Sequence, residues 1–182
     1  MASGILHTSS DHIARHQVMQ RIADEVGETV NFAIPDSDGM IYLERIETDW
    51  PFRVQLPVGT HVPFHCTASG KTFMASLAPK VRTNMVGSLR LEKLTKNTLI
   101  DAENLLNELR LVAKQGYAID NEEFVDGMVA IAVPIKDEFG RYVASLAFHG
   151  PLQRLSVESA TLRKDVLLNG AKTMKDILFT ET

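Results

Sequence analysis

Residues 57–71, PVGTHVPFHCTASGK, gather two histidines, the only cysteine and a lysine around a run of small residues. Thr67 reads as a helix N-cap, and Ala68, Ser69 and Gly70 leave the amides of the following turn uncovered. A helix start presents unpaired N–H groups and a partial positive charge, so a small carboxylate could dock there. The competing reading is a plain N-cap, with small residues chosen only for close packing.

Other chemistries fit this stretch less well. Gly70-Lys71-Thr72 resembles the tail of a phosphate-binding loop, but that pattern needs glycine where His65 stands, and Pro63 interrupts the required strand. His61, His65 and Cys66 lack a second cysteine, a second histidine pair or a carboxylate at supporting spacing, so no metal site is expected. A nucleophilic Cys66, close to a helix start that would favour a thiolate, with a histidine base and Asp120 as orienter, is conceivable. No local pattern identifies its base.

Further along, Asp120 follows an apolar strand-like segment and precedes a turn. It organises a pocket by hydrogen bonding or simply caps the turn. Glu122 and Glu123 read as a solvated loop. His149 closes an apolar strand, where a satisfied core histidine is the plain alternative. Trp50, the sole tryptophan, is expected to anchor a bend by burial.

The elements that must position these residues follow from periodicity. Ile13, Val18, Ile22 and Val26 recur at helical spacing from about Asp11, with Gly27 beyond as a C-cap. Thr29–Ile34 and Met40–Ile46 form a hairpin across Pro35–Gly39. Arg53–Leu56 alternates as a further extended segment. A helix spans Thr67 to about Leu77 and Pro79 stops it. A weaker one covers Val81–Leu89, and the clearest runs from an N-cap at Thr98 through Lys114 to Gly116. Met128–Ile135 and Arg141–His149 pair as a second hairpin, apolar on both faces and therefore covered on both sides. A last helix spans Ser156–Leu178, with Gly170 a weak point. Turns this short between neighbouring strands require one antiparallel sheet with helices against it, an α+β arrangement.

Composition sets the outer limits. The 182 residues hold 45% hydrophobic and 23% charged residues, enough for one domain. A net charge of −4 with no basic run argues against nucleic-acid binding by this stretch itself. One cysteine excludes an internal disulfide framework, and no apolar run could span a bilayer, so a cytoplasmic location is expected. Met1–Gly4 lacks signal-peptide features and reads as native sequence or a cloning remnant.

Several motifs in order resemble one family: Gly27-Glu28-Thr29-Val30-Asn31; Tyr42-Leu43-Glu44-Arg45-Ile46; Pro57–Thr60 with Pro63–Lys71; Gly116–Glu123; Gly127-Met128; and His149-Gly150-Pro151 with Arg154-Leu155. Together they are similar to the effector-binding domain of IclR-type bacterial transcription regulators, from about Ile22 to Leu167. The resemblance implies a GAF-like fold, with a central antiparallel sheet of about six strands flanked by helices on both sides. It implies sensing of a metabolite without catalysis or a cofactor, and a dimer or tetramer. Residues 1–26 would then be a tail and linker helix towards a winged helix-turn-helix DNA reader outside this sequence, and 27–182 the sensor.

By the same resemblance, Ala68 and Ser69 hold the effector's carboxylate through main-chain amides, and Asp120 meets its polar end. Val54 and Val62 lie in a loop, from about Asp49 to Val62, that covers the site. Ala130, Ala147 and His149 face the ligand from the sheet. Glyoxylate- and pyruvate-sensing relatives carry a cysteine and two serines at those three positions. Two methyls and an imidazole here imply a roomier, less polar cavity and a bulkier acid. A cysteine-dependent enzyme and a ligand-free oligomerisation module are the alternatives.

Overall fold

The computed structural model describes residues 9–51 and 56–179. Six antiparallel strands form one sheet: β1 (Thr29–Pro35), β2 (Met40–Ile46), β3 (His61–Val62), β4 (Ala118–Asn121), β5 (Met128–Lys136) and β6 (Tyr142–Pro151), ordered β3-β2-β1-β6-β5-β4. The helices are α1 (Ser9–Val26), α2 (Ala68–Ser76), α3 (Pro79–Ser88), α4 (Ala102–Gln115), α5 (Val157–Leu162) and α6 (Lys164–Phe179). This is the α+β architecture expected, with about six strands and helices on both faces.

Strand alternation sorts the core into two halves. Val30, Phe32, Val129, Ile131, Leu146 and Phe148 face α1, α5 and α6 on one side, joined by Met19, Ile22, Leu167 and Met174. Ala33, Met40, Tyr42 and Ala118 face the other side, where Met74, Val86, Leu105 and Leu109 bring in α2, α3 and α4. The site-bearing face is the second of these.

Strict alternation would put Met40, Tyr42, Glu44 and Ile46 on one face. A bulge prevents it: Ala33 pairs with Tyr42 and Phe32 with Glu44, so Leu43 is the extra residue. Glu44 therefore turns to the α1 side, where Arg15 Nε donates to it at 2.6 Å and the guanidinium lies 4.8 Å from the Phe32 ring. Helix α1 thus packs Val18, Met19, Ile22, Ala23 and Val26 into the core.

Three expectations need correction. The N-cap of α4 is Asp101, whose Oδ1 accepts from Asn104 N at 2.9 Å, and Thr98 is engaged elsewhere. The closing helix breaks at Arg163, which donates from Nη1 to the Val26 carbonyl at 3.0 Å and separates α5 from α6. Gly170 lies where α6 meets α1, and a Cβ there would press on the side-chain ends of Ile22 at 2.6 Å and Leu146 at 3.2 Å. Trp50 stays half exposed, with its indole N–H donating to the Gly27 carbonyl at 3.1 Å and its ring under Arg154. It anchors the bend through these contacts rather than by burial.

Candidate functional site

The start of α2 lies against β5 and β6. Thr67 has an extended backbone, φ −111° and ψ 148°, and its Oγ1 accepts the Gly70 amide at 3.0 Å while donating to the Pro63 carbonyl at 2.6 Å. That uses the third amide of the helix. The first two, from Ala68 and Ser69, meet no acceptor among the described residues.

The helix sits low on the sheet because only methyls lie between: Ala68 packs on Ala130, Ala132 and Ala147. Gly70 allows the same closeness on its other side, since a Cβ there would fall 2.3 Å from the Phe64 carbonyl oxygen. Ser145 Oγ donates to the Ser69 carbonyl at 3.1 Å and lies 2.7 Å from the Tyr142 hydroxyl, tying the helix to β6.

Register brings the far groups together. Asp120 pairs with Ala130, Ala130 with His149, and His149 with Thr29; one step along, Ala132, Ala147 and Asn31 form the next row. The result is a cavity of about 10 Å³ lined by Ala68, Ser69, Asp120, Ala130, Ala147 and His149, and also by Asn31, Tyr42, Thr67, Phe124 and Met128. Six of the eight expected site residues therefore converge. Val62 does not join them: it pairs with Met40 and sits in the core with Tyr42 and Phe64. Val54 lies outside the described residues.

The cavity is small in this arrangement. Its space is comparable to a single water molecule, because Tyr42, Phe124 and Met128 bound what the two alanines leave open. Asn31, Tyr42, Asp120 and His149 also keep it polar. Of the residues missed in sequence, Asn31 carried a signal: a lone amide among apolar neighbours in β1.

Asp120 is almost fully buried, and burial followed by the neighbouring Glu123 charge pushes its carboxyl up to about 7. Its Oδ1 accepts the Glu123 amide at 2.7 Å. Glu123 is not solvated as expected. Its carboxylate accepts Lys71 Nζ at 2.9 and 3.0 Å and the Asn121 amide at 3.0 Å. Lys71, fully buried, also donates to Glu108 and to the Ile119 carbonyl. Burial alone would lower the Lys71 ammonium, but the charges of Glu123 and Glu108 outweigh it and the net shift is upward.

The loop after Asp120 is held from beneath by Thr95, which donates to the Glu122 carbonyl at 2.6 Å, and by Thr98, which donates to the Glu123 carbonyl at 2.7 Å. Glu122 takes a left-handed conformation, φ 54°, and its carboxylate accepts the Gly127 amide at 2.8 Å. So a strained acidic loop is pinned by α2, α4 and the segment before α4 to set Asp120.

Cys66 offers no nucleophile. It is buried, and burial first, then the charges of Asp120 and Glu123, push the thiol up to about 12. His65 Nε2 lies 2.9 Å from the Glu92 carbonyl and His61 Nε2 2.8 Å from Asp36, so neither histidine serves it as a base. Among the described residues no three metal-ligating side chains cluster, and no helix is long and apolar enough to cross a membrane.

Comparison with known proteins agrees with this geometry. The family model described as bacterial transcriptional regulator IclR C-terminal matches residues 7–174. A probable transcriptional regulator, SauR, from Cupriavidus necator is 36% identical over 87% of this chain and 63% of its own length. The crystal structure of Thermotoga maritima IclR superposes with a TM-score of 0.87 at 28% identity, covering 97% of this chain and 72% of that one. An IclR homologue complexed with 4-hydroxybenzoate, from Microbacterium hydrocarbonoxydans, shares the fold at a TM-score of 0.81 and 24% identity, over 98% and 69% of the two chains. This chain belongs to the IclR regulator family and is its C-terminal effector-binding domain, a regulatory and not an enzymatic module. It spans about six tenths of the length of the curated relatives it matches.

Proposed function

We propose that this domain senses a small carboxylate-bearing metabolite, held by the amides of Ala68 and Ser69, with its polar end towards Asp120 and His149. The observation that carries this reading is the pair of unused first-turn amides opening onto a cavity that also holds a buried carboxyl and an imidazole. The acid is bulkier than glyoxylate or pyruvate: the floor offers methyls at Ala130 and Ala147, and the walls are Phe124 and the adaptable Met128. The complex of 4-hydroxybenzoate with a protein of the same fold makes aromatic acids the first to screen.

A cavity of about 10 Å³ admits no such acid as it stands. Binding therefore selects an opened arrangement, in which Phe124 and Met128 move aside and then close over the ligand. In the full-length cytoplasmic regulator, α1 links this change to a preceding DNA-reading domain, with residues 27–182 as the sensor and a homodimer or tetramer as the working unit. The effector shifts that equilibrium only by its differential affinity for the two arrangements.

Asp120 makes the reading testable by pH. A carboxylate at Ala68 and Ser69, in the same cavity, is accepted most easily while Asp120 is protonated, and Glu123, Lys71, Tyr42, Cys66 and His149 are the other titratable groups around Asp120. With the Asp120 carboxyl near 7, affinity is expected to be flat below about pH 6. Above about pH 7.5 it should weaken by up to about tenfold per pH unit, with one proton taken up on binding. Asp120→Asn should remove that slope. Calorimetric titration with aromatic acids in buffers of different ionisation enthalpy measures both quantities. Stabilisation by glyoxylate or pyruvate alone would contradict the bulkier-acid reading.

A further inference from the structure

Asn31 projects from β1 onto the floor of the cavity and is 1% exposed. Its Nδ2 lies 3.0 Å from His149 Nδ1. An amide nitrogen only donates, so Nδ1 accepts and the imidazole proton sits on Nε2. The amide oxygen, by contrast, has no hydrogen-bond partner among the described residues although it is buried. Across in register stand Ala147 on β6, whose methyl cannot supply one, and Arg45 on β2, whose guanidinium turns to the Tyr42 ring at 6.0 Å and to Glu47 at 3.3 Å. A buried acceptor left unmatched is costly, so such a group in a binding cavity indicates what its ligand brings.

We infer that Asn31 is a specificity determinant, selecting effectors that present a hydroxyl or N–H donor to its Oδ1 in addition to the carboxylate at Ala68 and Ser69. An acid with a carbonyl at that point would set oxygen against oxygen. An acid with a methyl there would leave Oδ1 buried and unpaired. Sites built to meet a ligand's hydroxyl reject analogues lacking it far more strongly than apolar pockets reject an extra methylene. This inference rests on the carboxylate reading above and narrows it to hydroxy acids and acids bearing N–H groups.

Two matched series test it on the unaltered chain: benzoates carrying hydroxyl, formyl or methyl at the meta or para position, and lactate, pyruvate and isobutyrate. In a series that binds, the hydroxyl member is expected to bind at least about tenfold tighter than both others. Asn31→Ala should shrink that ratio to about threefold or less, and Asn31→Ser, retaining an oxygen, should keep part of it. Equal binding within each series, which leaves Oδ1 to solvent, or a preference for the carbonyl member would overturn the role of Asn31 while leaving the carboxylate site standing. Binding by no acid of either series would overturn the carboxylate reading and this inference with it.

Discussion

Lys71→Met is expected to destabilise the domain by roughly 3 to 5 kcal/mol, because it leaves a buried carboxylate without its counter-charge. The ammonium is fully buried and reaches Glu108, Glu123 and the Ile119 carbonyl from one point on α2. For a chain of this size that corresponds to a fall in Tm of about 6–20 °C. Glu123→Gln in the same chain removes the orphaned charge, so the double variant should recover part of the loss. Thermal and urea unfolding of the two single variants and the double variant check this. A Tm change below about 2 °C for Lys71→Met would mean the buried network does not hold α2 to the loop that sets Asp120.

Gly70→Ala has nearly as large an expected effect and the opposite sign from a helix-propensity argument. In an exposed helix interior, alanine for glycine stabilises by up to about 1 kcal/mol. At Gly70 the added Cβ would lie 2.3 Å from the Phe64 carbonyl oxygen and 2.5 Å from its Cα, and backbone atoms cannot move aside as a flexible side chain can. The steric cost, about 3 kcal/mol, outweighs propensity. The start of α2 would also be displaced from the sheet, so weaker acid binding should accompany a Tm lowered by about 4–10 °C. Unfolding and titration of the same variant measure both, and an unchanged or raised Tm would show that the close approach of α2 is not required.

The hairpins and α2 were legible because their signals are local: alternation in Thr29–Ile34 and Met40–Ile46, a capping threonine at Thr67, and Pro79 beyond. Six of the eight residues expected at the site also proved to line one cavity, since strand register carries Asp120, Ala130 and His149 into one row once the pairing is known. What sequence concealed depends on partners far along the chain. The bulge at Leu43 reverses Glu44 towards Arg15 and cannot be read from alternation. In sequence Lys71 reads only as the tail of a failed phosphate-loop match, yet its partners Glu108 and Glu123 lie 37 and 52 residues away. Thr98 suits a cap by residue type, whereas its hydroxyl serves a loop 25 residues on. Cavity size escaped for a similar reason, since Tyr42, Phe124 and Met128 enter from three different segments.

The central claim is that the first-turn amides of α2 receive a carboxylate. Ala68→Pro removes one of these donors at a position where proline suits a helix, with Thr67 before it already extended at ψ 148°; its ring crowds the methyls of Ala130, Ala132 and Ala147, so the acid-to-amide ratio, and not the absolute affinity, is the readout. Calorimetric titration of the unaltered chain and of Ala68→Pro, each with an aromatic acid and with its primary amide, tests the claim directly. The unaltered chain should bind the acid at least about tenfold tighter than the amide, and the variant should lose most of that preference. An amide that binds as well as the acid, or a variant that keeps the full preference, would contradict it.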